Sequence, residues 1–314
     1  MAHLANGYSG LKTSTAMSQS FKPGNPYWWQ WLTVLSLDAP LVALAWQTLF
    51  ARILKVELPW QQPVLLGLAV WVIYAADRWI EGWRLSPETV LTQRHHFYIL
   101  WRWPVFMIGL AVILVGLGLA VVWLPGREWA ASTVLAIPTA VYLLSHQFFH
   151  REHPGRIPKE LCIAALFPLG TALAPIVFAL PTILHGQSLV EIIVGRLEAL
   201  WIPLGLFGLL CLANLVLISA WETEVDAQHG QTSLALQFSH RLGLIRSLPW
   251  LLACLGAAVS VGMHGIDRVA GICATVSAIL LGVLDYVEPR IGRQAARIFV
   301  DLTLLSPAVA LLLL

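Results

Sequence analysis

From residue 31 to the C-terminus, long apolar runs alternate with short connections rich in charge, proline or glycine. The runs cover 31–50, 63–81, 104–124, 129–149, 160–184, 199–221, 247–264, 268–286 and 296–314. A hydrocarbon core about 30 Å thick needs roughly 20 helical residues at about 1.5 Å each, so every run predicts a membrane-crossing helix. The pattern therefore predicts an all-α polytopic membrane protein, nine transmembrane helices bundled around a central cavity. Pro138 in the fourth run, and Pro168 and Pro175 in the fifth, predict kinks, because proline removes a backbone donor and crowds the preceding turn. Residues 1–29 precede the first run as a polar tail rich in Ser, Gly, Asn and Thr, without the apolar core of a cleavable signal peptide. The spanning domain is 30–314.

Composition supports this reading and excludes others. Of 314 residues 58% are hydrophobic and 11% charged, where a soluble domain carries about 25% charge. A soluble enzyme is excluded. A net charge of +2 is too balanced for a nucleic-acid binder, which needs a basic face. Lys and Arg divide 14 to 5 between the two sides of the predicted bundle, which places the N-terminus in the cytoplasm and the C-terminus on the opposite side. Trp28, Trp29, Trp31, Trp60, Trp101, Trp103, Trp123, Trp129 and Trp201 fall near predicted helix ends, where an indole keeps its ring in lipid and its N–H in water. Cys162, Cys211, Cys254 and Cys273 lie inside apolar runs with no metal or redox spacing, and read as small core residues.

A carboxylate at membrane depth costs about 3 kcal/mol on insertion scales and needs a partner or a wet cavity. Two helices break the rule together. The second run ends Asp77-Arg78-Trp79-Ile80-Glu81 and the sixth leads into Glu222-Thr223-Glu224-Val225-Asp226. In each, two acids stand at i and i+4, on one face of a helix. Both pairs sit at the predicted cytoplasmic end, so four carboxylates can converge on one cavity mouth. Like charges so placed repel unless a cation lies between them, and Mg²⁺, which takes carboxylates together with substrate phosphates, suits them. The plain alternative is helix-end charges facing water or an arginine such as Arg78. Asp38, just before Pro40, lines the cavity or caps a helix break. Asn214, two turns before Glu222, is a candidate substrate contact or a hydrogen-bond donor to a neighbouring helix. Asp285 and Glu288, with Arg290 and Arg293 nearby, read as a helix-end ion pair.

The stretch Glu222-Thr-Glu-Val-Asp226-Ala-Gln-His-Gly230-Gln-Thr-Ser-Leu-Ala235 resembles the second aspartate-rich motif of the UbiA superfamily of intramembrane prenyltransferases, Asp-x-x-x-Asp-x-x-x-Gly and then Lys, Thr or Ser, Leu. Asp77 to Glu81 is similar to the latter half of that family's first motif, Asn-Asp-x-x-Asp-x-x-x-Asp, and Pro158-Lys159 matches a family lysine after the fourth helix. Nine helices with motifs closing the second and sixth are also the family's plan. Ile73 and Tyr74 stand where the family has Asn and Asp, and Glu replaces Asp at 81 and 222, so the first site has two oxygen ligands fewer.

The resemblance implies transfer of a prenyl group from an isoprenoid diphosphate to a lipophilic or aromatic acceptor within the membrane, with Mg²⁺ on Asp77, Glu81, Glu222 and Asp226. Lys159 would stabilise the departing diphosphate; Arg78, Arg94 and Arg156 would hold it by their planar forks. Tyr74, Trp79 and Tyr142 would face the allylic cation. Other readings stay open: a cyclase of the same fold, a lipid-binding subunit without turnover, and a di-iron oxygenase suggested by His146, His150 and His153 with His95-His96, which lacks a third histidine box.

Overall fold

The structure, a computed structural model, describes residues 27–84, 93–149, 158–180, 189–223, 233–238, 240 and 242–313. Among them there is helix and no strand. The long elements are α1 (Asp38–Ile53), α2 (Gln61–Arg84), α3 (Gln93–Leu100), α4 (Arg102–Trp123), α5 (Gly126–Phe149), α6 (Lys159–Ala179), α7 (Leu189–Trp221), α8 (Leu242–Gly262), α9 (Gly265–Ile291) and α10 (Arg293–Leu302), followed by α11 (Ser306–Leu312). Among the described residues each of the nine apolar runs is helical over most of its length, with α10 and α11 sharing the last. Pro138, Pro168 and Pro175 lie inside continuous helices.

The count of spans differs from the nine expected. Among the described residues seven helices are long and apolar enough to cross a membrane, or eight if a bent pair at 28–53 counts as one. The helix missing from that set is α5, which covers the predicted run 129–149 and starts three residues earlier, but whose apolar stretch is diluted by Ser132, Thr133, Pro138, Thr139 and Ser145. The chain is an integral membrane protein.

Burial sorts the helices. In the span Leu197–Trp221 of α7, 67% of the apolar window is buried inside the protein, and in α9 56%, against 6% in α4. α7 and α9 are thus the interior of the bundle, and α4 shows its side chains to lipid. Lipid tails are as apolar as leucine, so helices associate in a bilayer by close packing and interhelical hydrogen bonds. Both devices are present. Trp46 of α1 stacks on Phe207 of α7 with centroids 4.3 Å apart, and its indole N–H donates to the Leu304 carbonyl at 2.9 Å. α8 and α9 meet through glycines: a Cβ on Gly271 would sit 2.9 Å from the Ser260 nitrogen, and one on Gly256 2.7 Å from Thr275 Oγ1.

The first run is broken. A short helical stretch, Trp28–Val34, meets α1 at 75°. Ser36, wholly buried, takes φ +58° in the break, a left-handed conformation that costs a non-glycine residue energy. Asp38 then opens α1, its Oδ1 accepting the Ala39 N–H at 3.0 Å. Pro40 is tolerated two residues on, because the first N–H groups of a helix have no intrahelical acceptor. Leu37 is the cap residue and no side chain bonds there, so of the two roles open to Asp38 lining the polar interior is the one observed, within electrostatic range of Asp301 and Arg297.

Two other expectations change. Cys211 and Cys273 are buried and Cys162 is partly so, but Cys254 is exposed on the lipid-facing side of α8. Asp285 accepts the Trp221 indole N–H at 2.8 Å and pairs with Arg246 of α8 at 3.8 Å. It therefore ties three helices together, where the sequence reading placed it in an ion pair local to its own helix end.

Candidate functional site

The polar residues inside the bundle are carried by α1, α2, α5, α6, α7 and α10. Asp77 and Glu81 project from the last turns of α2 and are partly buried. Tyr142 of α5 lies within electrostatic range of Asp77, Tyr74, Glu160 and Cys162. Tyr74, one turn before Asp77, lies within range of Asp38, Arg78, Cys211 and Asp301. The two tyrosines thus stand between the acidic end of α2 and a second polar group on α1, α7 and α10.

That second group is a chain of side chains. Asn214 of α7 donates from Nδ2 to Asp301 Oδ1 at 2.9 Å. Asp301 Oδ2 faces Arg297 Nη1 at 3.7 Å, and Arg297 Nε faces Glu222 Oε1 at 3.6 Å. Asp38 lies within electrostatic range of both Asp301 and Arg297. Glu222, at the end of α7, is thereby linked through a guanidinium to α10. The interhelical hydrogen bond expected of Asn214 is present, and its acceptor is an acid that the sequence reading did not single out.

On the other side of the second motif the chain is fixed as well. Glu160, 1% exposed and adjacent to Lys159 at the start of α6, accepts the Leu234 N–H through Oε1 at 3.2 Å. Ser219 of α7 accepts the Ala235 N–H at 3.3 Å. Ser233 caps the short helix Leu234–Gln237. The helix that begins with Lys159 and the segment just after the second acidic motif are therefore in contact.

Arg78 is placed differently from the diphosphate-binding role drawn from the resemblance. It is 5% exposed, and its Nη1 donates to the Thr33 carbonyl at 2.8 Å and to Ser36 Oγ. Those bonds hold the break before α1. Trp79 faces α4, its indole donating to the Arg102 carbonyl at 2.8 Å and its ring stacking on Phe106 at 5.4 Å, away from the polar interior. Asp226 and Arg156 lie outside the described residues, as do the side chain of Arg94 and the histidine string from His146 to His153. The tail at 1–26 lies outside them too.

No family model matches the chain, and no curated protein does. A solved structure does: the apo structure of a UbiA homolog from Aeropyrum pernix K1 superposes with a TM-score of 0.57, covering 88% of this chain and 98% of that one at 12% identity. The chain has the UbiA fold. A likeness at that identity concerns the path of the backbone, so the UbiA fold accounts for which helix ends meet, and the chemistry has to come from this chain's own side chains.

For Mg²⁺ the test is the donor set. Among the described residues no three of His, Cys, Asp and Glu lie close enough to hold a metal ion. A protein-only cage is therefore not built from Asp77, Glu81 and Glu222. Mg²⁺ is commonly held instead by one or two carboxylates together with substrate phosphates, and half-buried carboxylates on two helix ends fit that second kind of site. Within the UbiA fold the residues that sequence reasoning missed are Arg297, Asp301 and Glu160. Arg297 and Asp301 carried a signal, since opposite charges at i and i+4 inside an apolar run call for the same explanation as the acid pairs.

Proposed function

We propose that the protein is an intramembrane prenyltransferase that moves an isoprenoid group from its diphosphate to a lipophilic or aromatic acceptor. One observation supports the reading most: the UbiA fold coincides with carboxylates at the ends of α2 and α7, bordering the polar interior where Tyr74, Tyr142 and Asn214 lie. Asp77, Glu81, Glu222 and Asp226 would hold Mg²⁺ with the diphosphate. The ion, when bound, neutralises charge on the departing diphosphate.

The chain's own groups do the rest. Lys159, with Arg94 and Arg156, binds diphosphate oxygens, and these contacts strengthen as the C1–O bond breaks and its electron pair leaves with the diphosphate. The ring faces of Tyr74 and Tyr142 stabilise the allylic cation through their quadrupoles. An acceptor nucleophile then forms the new bond at C1 and gives up its proton. Helices α4 and α5, open to lipid, leave the prenyl tail in an apolar environment. The site faces the cytoplasm on the charge distribution of the loops.

The Glu222–Arg297 ion pair favours one alternative, a subunit that binds prenyl diphosphate without turnover, since it gives an acid of the second motif a built-in counter-charge. The experiment separates these. Purified protein is incubated with Mg²⁺ and prenyl diphosphates of several lengths, with and without membrane extract, and pyrophosphate and product mass are measured. Transfer gives pyrophosphate and a product containing the acceptor. A cyclase product contains no acceptor, and a binding subunit releases no pyrophosphate. Asp77→Ala and Asp226→Ala should each abolish turnover without lowering the unfolding midpoint; full activity in either refutes the assignment of the acids.

A further inference from the structure

Arg297 is the feature of the interior that the proposed mechanism does not use. It sits in α10, between Glu222 at 3.6 Å and Asp301 at 3.7 Å. Charge-assisted hydrogen bonds from a guanidinium are about 2.7–2.9 Å long, so both partners stand a good distance beyond bonding contact. Its Nε–H has no acceptor within hydrogen-bond distance although the atom is buried. On the far side of Asp301, the Asn214 amide that fixes this carboxylate leaves its own Oδ1 unpartnered. Arg297 is thus held in place by charge while its buried Nε–H is left without the acceptor such a group normally requires.

We infer that Arg297 is a diphosphate-binding residue, carried on the last span, whose fork exchanges Glu222 for a phosphate oxygen when substrate arrives. The inference rests on the functional reading above and adds to it a ligand group and an order of events. The planar fork matches phosphate bidentately. The local charge sets the condition for binding: Glu222, Asp301 and Asp38 surround Arg297, while nearby Arg78 is engaged by Thr33 and Ser36. A bare diphosphate is repelled by that excess of carboxylates. A diphosphate that brings a divalent cation is not, because Glu222, once released by the guanidinium, has a cation to face. Asp301 and Asn214 keep Arg297 in position through the exchange.

The test uses the full chain in detergent, with inorganic diphosphate as the probe and the unfolding midpoint as the readout, alongside turnover of a prenyl diphosphate. Diphosphate should raise the midpoint of the wild type only when MgCl₂ is present. Arg297→Gln should weaken that response about 10- to 100-fold in diphosphate concentration, the equivalent of losing a hydrogen bond to a charged group. Arg297→Lys, which keeps the charge and loses the fork, should fall between. Arg246→Gln, at the ion pair with Asp285, is the control and should respond like the wild type. Should Arg297→Gln fail to fold, Arg297→Gln/Asp301→Asn removes both charges together and should fold without responding. Two results overturn the inference: an unchanged response in the Arg297 variants, or stabilisation of the wild type by diphosphate equally well without Mg²⁺. A wild type that is not stabilised overturns it as well; if that protein also releases no pyrophosphate from any prenyl diphosphate, the functional reading falls with it, whereas pyrophosphate release alone leaves that reading standing.

Discussion

The break before α1 turns on the hydroxyl of Ser36, and replacing it tests whether Arg78 belongs to the scaffold or to the substrate. Ser36 Oγ accepts from Arg78 Nη1 and shares a hydrogen bond with Tyr98 Oη at 2.9 Å. All three residues are at most 5% exposed. Ser36→Ala therefore strands a buried guanidinium N–H, at about 1.5–3 kcal/mol, and a phenol, at about 0.5–1.5 kcal/mol. The expected loss is about 2–4 kcal/mol. Arg78 keeps the Thr33 carbonyl, which sets the upper end. Ser36→Gly loses the same bonds but regains about 1 kcal/mol, since φ +58° is free for glycine and strained for alanine. Equilibrium unfolding in mixed micelles, followed by the fluorescence of the 15 tryptophans, gives both values. The Mg²⁺–diphosphate affinity of whatever remains folded should not move. An alanine variant within about 0.5 kcal/mol of wild type, or a glycine variant less stable than the alanine one, would refute the account; a large loss of diphosphate affinity would return Arg78 to the substrate.

Gly271→Ala should destabilise by about 1–3 kcal/mol, because its Cβ meets the Ser260 backbone at 2.9–3.0 Å and overpacking outweighs the helix propensity gained; Gly118→Ala on α4, where nothing lies within 4 Å, should be neutral or up to about 1 kcal/mol stabilising, and equal midpoints for the two would contradict the packing argument. Trp221→Phe removes the bond to Asp285 and part of a buried ring, so unfolding should show a loss of at least about 1–3 kcal/mol, and a double-mutant cycle with Asp285→Asn should separate the bond from the cavity as coupling between them. Asn214→Leu leaves Asp301 one donor short and should cost about 1.5–3 kcal/mol in the same assay; no change would mean that water replaces the amide and that Asp301 is wetter than its surroundings indicate.

Helix existence was legible because the signal is collective: a run of apolar residues in lipid has nowhere to satisfy its backbone except within itself. Among the described residues each of the nine runs is helical over most of its length for that reason. What the runs do not encode is how a helix is interrupted. The break at Leu35–Leu37 depends on the Ser36 hydroxyl meeting Arg78 and Tyr98, residues 42 and 62 positions away, and no local pattern carries that. The acid pairs were legible as an energetic anomaly, but their partners were not. Arg78, adjacent to Asp77 in sequence, was the obvious counter-charge, and the structure sends it to the Thr33 carbonyl instead. Arg297, 75 residues beyond Glu222, takes the place next to that acid.

That exchange of partners bears on how a membrane site with fewer acids could still work. The end of α2 offers a cation two carboxylates, Asp77 and Glu81, and Ile73 and Tyr74 a turn earlier add none. The end of α7 is at the same time tempered by a guanidinium that the chain itself supplies. Two carboxylates on one side and a resident guanidinium on the other suit a diphosphate that arrives with its divalent cation, the guanidinium then taking phosphate and the acids facing the cation. Tyr74, within range of Asp38 and Asp301, adds an aromatic face to the same interior. A site built in this way relies on α10 for phosphate, so the consequences of altering Arg297 should be felt in the metal dependence of binding before they are felt in the stability of the bundle.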